Sequence, residues 1–203
     1  MQSLNAVTVM GIVKSLQTSG FVVECKHQRP YSQKVDIGSY FISTGRSEPP
    51  LQVGNLVTVV GQLARQEQAG ATKVELPRCY ILGKSLVRLA ATPVLDLHFN
   101  QVALGGAVME EPEVRQVSPK ATVTVLQLGV RFGESKGGEW CEKWAYLPVA
   151  IWGPLGKVAQ KYLNRKKALL LTGWLQAVPS NNQVNEEMAI GSEFQVIADC
   201  LRF

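Results

Sequence analysis

Short runs dominated by Val, Ile, Leu and Thr recur along the whole chain. Such runs predict β-strands, because branched side chains suit a pleated, half-buried backbone. In the first half, strands are expected near residues 4–14, 20–27, 34–43, 55–66 and 72–82. In the second half they are expected near 97–109, 120–132, 142–152, 167–178 and 193–203. Gly11 and Gly106 fall inside the first strand of each half. A glycine there predicts a bulge or sharp bend, of the kind that closes a small barrel.

One helix stands out, from Pro154 to Leu163 after Gly153. Proline in the first helical turn gives up only an N–H that has no helical partner. Leu155, Val158, Ala159 and Tyr162 share one face at i, i+3, i+4 and i+7, which is the expected buried stripe. Asn164 is the expected left-handed stop, and Lys161, Arg165, Lys166 and Lys167 suit the negative end of the helix. The first half has Ser43–Val53 in this place, with Gly45, Pro49 and Pro50, and reads as a loop there.

The halves repeat one another. Asn5 to Val13 resembles Asn100 to Val108 at a constant offset of 95, and Leu56 to Leu63 matches Ala168 to Leu175. Each half then closes with a cysteine in an apolar strand, Cys79 and Cys200. Landmarks in the same order argue for duplication. Domains are expected at 1–90 and 97–203, parted by Leu89-Ala90-Ala91-Thr92-Pro93. Five strands with a helix between the third and fourth follow the order of an OB-fold. The expected fold is therefore all-β with one short helix, as two tandem five-stranded OB-fold barrels.

Composition narrows the chemistry. The chain is 46% hydrophobic and 18% charged, enough apolar residue for a core. No apolar stretch reaches membrane-spanning length, and no signal peptide is visible at Met1-Gln2-Ser3-Leu4-Asn5, so a cytoplasmic protein is expected. Cys25, Cys79, Cys141 and Cys200 form no Cys-x-x-Cys pair, and His27 and His98 are the only histidines. No metal site, cofactor or disulfide is expected. No phosphate loop, nucleophile elbow or zinc-protease motif occurs, so no enzyme is expected. Residues 1–95 carry ten Lys/Arg against five Asp/Glu, whereas residues 96–203 carry eleven of each. The basic excess of the first half favours a polyanionic partner.

The run Tyr146-Leu147-Pro148-Val149-Ala150-Ile151-Trp152-Gly153-Pro154-Leu155-Gly156-Lys157-Val158-Ala159-Gln160-Lys161-Tyr162-Leu163, followed by Leu169-Leu170-Leu171-Thr172-Gly173-Trp174-Leu175, resembles the bacterial single-stranded-DNA-binding protein family. The resemblance covers about residues 97–203 and extends to Asn100–Val108 and Glu110–Arg115. It implies binding of single-stranded DNA in replication, repair or recombination. It also implies stacking aromatics at Phe132, Tyr146 and Trp152. A further family aromatic would fall near Ser180, which predicts weaker contact there. The family's acidic tail is not expected here, nor the hub role that goes with it. The family's fourfold use of the barrel implies a homodimer presenting four OB-folds.

Single-strand binding needs rings for bases and cations for phosphates. In the first half the candidates are Phe21, Lys26, Arg29, Tyr31, Lys34 and Tyr40, with Lys73 and Arg78 on the fifth strand. The segment from Lys26 to Lys34 reads as the loop between strands two and three; a solvated basic hairpin is the plainer alternative. In the second half the same loop, Gly133 to Trp144, offers Lys136, Trp140 and Trp144, with Arg131 at the end of the strand before it, beside the family positions. Glu134, Glu139 and Glu142 lie close by, so Trp140 and Trp144 also fit a protein contact. Trp152 and Trp174, inside strands, also fit core packing. Two further readings stay open: a primosomal type of docking module that joins another replication or repair protein, and an RNA-binding OB protein.

Overall fold

The computed structural model describes residues 4–28, 35–44, 50–65, 79–89, 98–119, 121–136, 139–178 and 194–203, with backbone only at residues 135 and 136. The first half forms β1 (Leu4–Gln17), β2 (Gly20–Gln28), β3 (Val35–Thr44), β4 (Leu56–Arg65) and β5 (Cys79–Arg88). The second forms β6 (Phe99–Val108), β7 (Glu113–Ser118), β8 (Ala121–Lys136), β9 (Glu139–Trp152), α1 (Gly153–Tyr162), β10 (Ala168–Ala177) and β11 (Phe194–Arg202).

Each half closes into a five-stranded barrel by the same pairing. In the first, β1 runs antiparallel to β2 and β4, β2 to β3 and β4 to β5, while β3 and β5 close the ring in parallel. In the second, β6 runs antiparallel to β8 and β10, β8 pairs with β9, and β11 joins β9 in parallel beside β10. This is the OB-fold order, twice. β7 is an addition that the sequence pattern did not mark: its six residues are exposed and pair with β8. The fifth strand of the first half spans Cys79–Arg88. Residues 72–78 of the strand expected there lie outside the described residues.

Two compact units result. One comprises Val7–Gln101 with Gln176–Phe194, the other Met1–Ala6, Val102–Leu175 and Gln195–Phe203. Val9, Val13, Val57, Val59, Leu63 and Ile81 fill the first barrel, each 0–1% exposed. Leu104, Leu128, Val130, Leu147, Ile151 and Leu171 fill the second in the same way. Polar residues are nearly excluded from these interiors, as the cost of burying an unpaired polar group requires.

The repeated glycines have one job in both barrels. A methyl group on Gly11 would lie 2.1 Å from the Glu24 carbonyl oxygen, and one on Gly106 would lie 2.1 Å from that of Gly129. The later pair behaves alike: Gly61 would meet the Leu82 oxygen at 2.4 Å, and Gly173 the Ile197 oxygen at 1.9 Å. These are backbone contacts that cannot rotate away. The glycines let neighbouring strands approach more closely than any side chain allows.

Helix α1 forms where expected, but turned. Gly156, Ala159 and Leu163 are buried, whereas Val158 and Tyr162 are 39% and 46% exposed. Small residues win the contact because they let the helix axis come close. The Thr124 hydroxyl donates to the Gly156 carbonyl oxygen at 3.0 Å, and a methyl group on Gly156 would lie 2.6 Å from the Ile151 oxygen. The stop also differs. Leu163 is extended, its N–H donating to the Ala159 oxygen, and the left-handed residue is Lys166 (φ 71°) rather than Asn164. Among the described residues, no helix is long and apolar enough to cross a membrane.

Candidate nucleic-acid interface

The β8–β9 hairpin is the longest paired ribbon of the chain's second half. Its register runs without a break from Val123 opposite Trp152 to Lys136 opposite Glu139. Side chains alternate across such a ribbon. Phe132, Ala145, Leu147, Val149 and Ile151 point inward and are 0–3% exposed. Trp140, Trp144, Tyr146 and Trp152 share the opposite, outward face. Trp140 is 64% exposed, Trp144 44% and Trp152 42%, with Tyr146 half-buried. At ~3.3 Å per residue these rings span about 40 Å, and between Tyr146 and Trp152 the same face carries Ala150, 2% exposed in the cluster that Trp174 covers.

Arg131 lies on this outward face, opposite Trp144. Its guanidinium carbon stands 5.0 Å from the Trp144 ring centre, and Glu142 takes one nitrogen at 3.4 Å. The ring and the carboxylate orient the cation without burying it. Trp140 lies over Gly133 on the neighbouring strand: a methyl group at Gly133 would come within 2.0 Å of its Cζ2. The bare glycine is the seat on which that indole rests, and it leaves the outer ring face to solvent. Lys143 pairs with Glu134 on the inward-facing side of the ribbon tip, away from the row.

Trp174 and Trp152 separate in role. Trp174 packs with Val125 against Val123, Ala150 and Ile197, while Trp152 remains open. The core reading therefore fits the first and not the second.

Three expected ring contacts are corrected by burial. Phe132 is 3% exposed because it directly follows Arg131, and strand neighbours face opposite ways. Phe21 pairs with Ile42 and Tyr40 with Val23, on the inner face of the first barrel, leaving them 3% and 2% exposed. The Asn100 amide donates to the Tyr40 hydroxyl at 3.2 Å, and Phe194 meets the Tyr40 ring edge-on at 6.3 Å. Burial pushes the Tyr40 phenol well above its ordinary value. Cys25, on the same face, donates to the Phe99 carbonyl oxygen at 3.2 Å, and burial pushes its thiol up to about 12. These rings cannot receive bases.

Lys26 sits within β2 rather than in a loop, half-buried and paired with Ile37. Lys136 is at the end of β8, where only the backbone is described. Arg29, Tyr31, Lys34, Lys73 and Arg78 lie outside the described residues, as does Ser180. No group of three or more potential metal-ligating side chains comes together among the described residues. The expected loop from Gly133 to Trp144 is instead mostly strand, which brings Trp140 and the Gly133 seat into the ribbon; for Trp144, Tyr146 and Trp152 the signal was parity within the expected strand.

Comparison with known proteins agrees with this fold. Two solved structures of the single-stranded DNA binding protein from Thermus aquaticus are similar over almost the whole chain. The wild-type structure gives a TM-score of 0.69 at 19% identity, covering 100% of this chain and 93% of that one. A deletion variant gives 0.69 at 20% identity, covering 98% and 94%. At such identity the likeness establishes the tandem fold. No curated protein matches the chain. The Single-strand binding protein family matches residues 99–202, which is half of the sequence and the whole of its second barrel. This chain belongs to the single-strand binding protein family.

Proposed function

We propose that the chain binds single-stranded DNA by laying bases along the outward face of β8 and β9. Its action is binding, with no reaction catalysed. The observation that carries this reading is the row Trp140, Trp144, Tyr146 and Trp152 on one face, with the Arg131 cation set over Trp144. Each stacked base contributes about 1–3 kcal/mol, and every base has a π-face, so little sequence preference follows. Phosphates passing the row meet Arg131, and release of counterions makes the affinity salt-dependent.

In this reading the protein coats exposed single strands in replication, repair or recombination, at the nucleoid, without a cofactor. Two copies together present four barrels, with mass twice 22.2 kDa by light scattering. Domains divided near residues 90–97 supply one barrel each. The basic Lys26–Lys34 segment, with Arg29, Tyr31 and Lys34, adds phosphate and ring contacts from the first barrel, and Lys73, Arg78 and Lys136 add charge.

The test is a fluorescence titration with dT oligomers of increasing length. Quenching of the exposed tryptophans that grows with length until one site is filled supports the reading. Unquenched fluorescence at low salt overturns it.

One observation favours a second reading for the hairpin tip. Glu142 lies 3.4 Å from Arg131, so the cation beside Trp144 is partly matched already. A protein contact, as in a docking module, would use the same two rings. Trp140→Ala with Trp144→Ala separates the two: loss of a protein partner with single-strand affinity intact favours docking.

A further inference from the structure

Tyr162 should have been a core residue by its helical spacing, yet it is 46% exposed at the end of α1. The buried stripe passes instead through Gly156 and Ala159. Tyr162 stacks on Phe203, the rings 5.7 Å apart and 24° from parallel, and Phe203 is itself 51% exposed. Lys161 Nζ stands 5.1 Å from the Tyr162 ring centre and Lys167 Nζ 5.5 Å from that of Phe203. Lys167 also donates to the Tyr162 carbonyl oxygen at 2.6 Å.

The surroundings are strongly basic. From Gly153 to Lys167 the chain carries Lys157, Lys161, Arg165, Lys166 and Lys167 and no acid. The turn that bears the last three is clamped: Lys166 N–H donates to the Val108 oxygen at 2.7 Å, and Val108 N–H to the Lys167 oxygen at 2.9 Å. Glu111 also reaches this end, where its carboxylate accepts the Arg165 backbone N–H at 3.1 Å. Two half-exposed rings framed by ammonium groups have the chemistry of a base and its flanking phosphates. The helix starts directly after Trp152, the last ring of the hairpin row, and is about 15 Å long. Lys157 and Lys161, one turn apart, line the exposed way between them.

We infer that the C-terminal end of α1 is a second contact for single-stranded DNA, formed by the Tyr162–Phe203 ring pair with Lys161 and Lys167. It rests on the hairpin reading above and extends the path of a strand beyond Trp152. Short oligomers engage the hairpin alone; longer ones continue along the helix.

The experiment compares the unaltered chain with Lys161→Gln/Lys167→Gln and, separately, Phe203→Leu. Glutamine at 167 can still donate to the Tyr162 carbonyl, and leucine keeps an apolar seat while removing the π-face, so both variants should melt close to the unaltered protein. None of these residues is a tryptophan, so the hairpin signal is intact in all three proteins. Short dT oligomers should quench all three equally. For long dT, both variants should bind several-fold more weakly and fill with a shorter site. The double variant should also lose about 1.4 from the slope of log affinity against log salt, since each single-strand phosphate contact contributes about 0.7. Long-dT affinity and slope unchanged in both variants would overturn the inference, leaving the rings as a clasp for the last strand or a seat for an acidic protein. An unaltered protein that shows no quenching by any dT would instead sink the hairpin reading, and this one with it.

Discussion

Trp140 is held over Gly133 so closely that a single added methyl group would stand 2.0 Å from its Cζ2. A glycine on one strand and a large ring on the next thus make one flat platform on the outward face of the ribbon. Gly133→Ala should displace the indole without touching the barrel core. We expect dT affinity to fall about fivefold or more, matching the ~1 kcal/mol lower bound for one stacked base. Melting temperature should hardly change. Trp140→Ala should give the same loss, and the double variant should add little, because both changes remove one platform. Titration of the three variants checks this; full additivity would show that Gly133 acts elsewhere.

The repeated glycines predict a contrast in stability. Gly173→Ala would drive a methyl group to 1.9 Å from the Ile197 carbonyl oxygen, between two barrel strands. Backbone must move, at about 3 kcal/mol by analogy with overpacked cores, or roughly 10 °C in melting temperature. Gly54→Ala meets open space and only opposes a φ of +91°, which costs about 1 kcal/mol. Thermal melts of the two variants should therefore differ clearly. Equal melts would mean that the strand approach at Gly173 is loose.

Alkaline pH should weaken the fold through Cys25 and Tyr40. Burial raises the Cys25 thiol from an ordinary 9.0 to about 12, and raises the Tyr40 phenol as well. Folded molecules then hold these protons more tightly than unfolded ones. Their contribution is fully present below pH 9 and is lost as pH rises from there, because the unfolded state ionises first. Melting temperature should fall progressively above pH 9. Cys25→Ala should flatten that fall while lowering stability at neutral pH. A profile with unchanged slope would remove the thiol from the explanation.

Removing Lys26, Arg29 and Lys34 together should weaken binding evenly across sequences. The salt slope should drop by roughly 2, for three phosphate contacts at about 0.7 each. Measurement of affinity at several salt concentrations decides it, and an unchanged slope would take that segment out of the binding surface.

Parity along a strand explains both what could be read and what was misread. Trp144, Tyr146 and Trp152 fall within the expected strand 142–152 and are separated by even steps, so a period of two already places them on one face, whereas Trp140, expected in a loop, joins them because β9 begins at Glu139. The same rule denies Arg131 and Phe132 a common face, and the structure buries Phe132. For Phe21 and Tyr40 parity alone was silent, since nothing in a single strand says which face is inward. That was decided by the partners across β2 and β3 and by Asn100 and Phe194 packing on Tyr40.

The sequence by itself determined the duplicated all-β architecture, the helix after Trp152 and the matched glycines, because strand propensity, periodicity and backbone freedom are local properties. Only the tertiary structure decided which face of each element is covered. It turned α1 so that Gly156 and Ala159, not Val158 and Tyr162, meet β8 and β9, and it set Trp140 on Gly133 and Tyr162 on Phe203. Burial depends on how closely two backbones can approach, and that distance belongs to pairs of elements far apart in the chain.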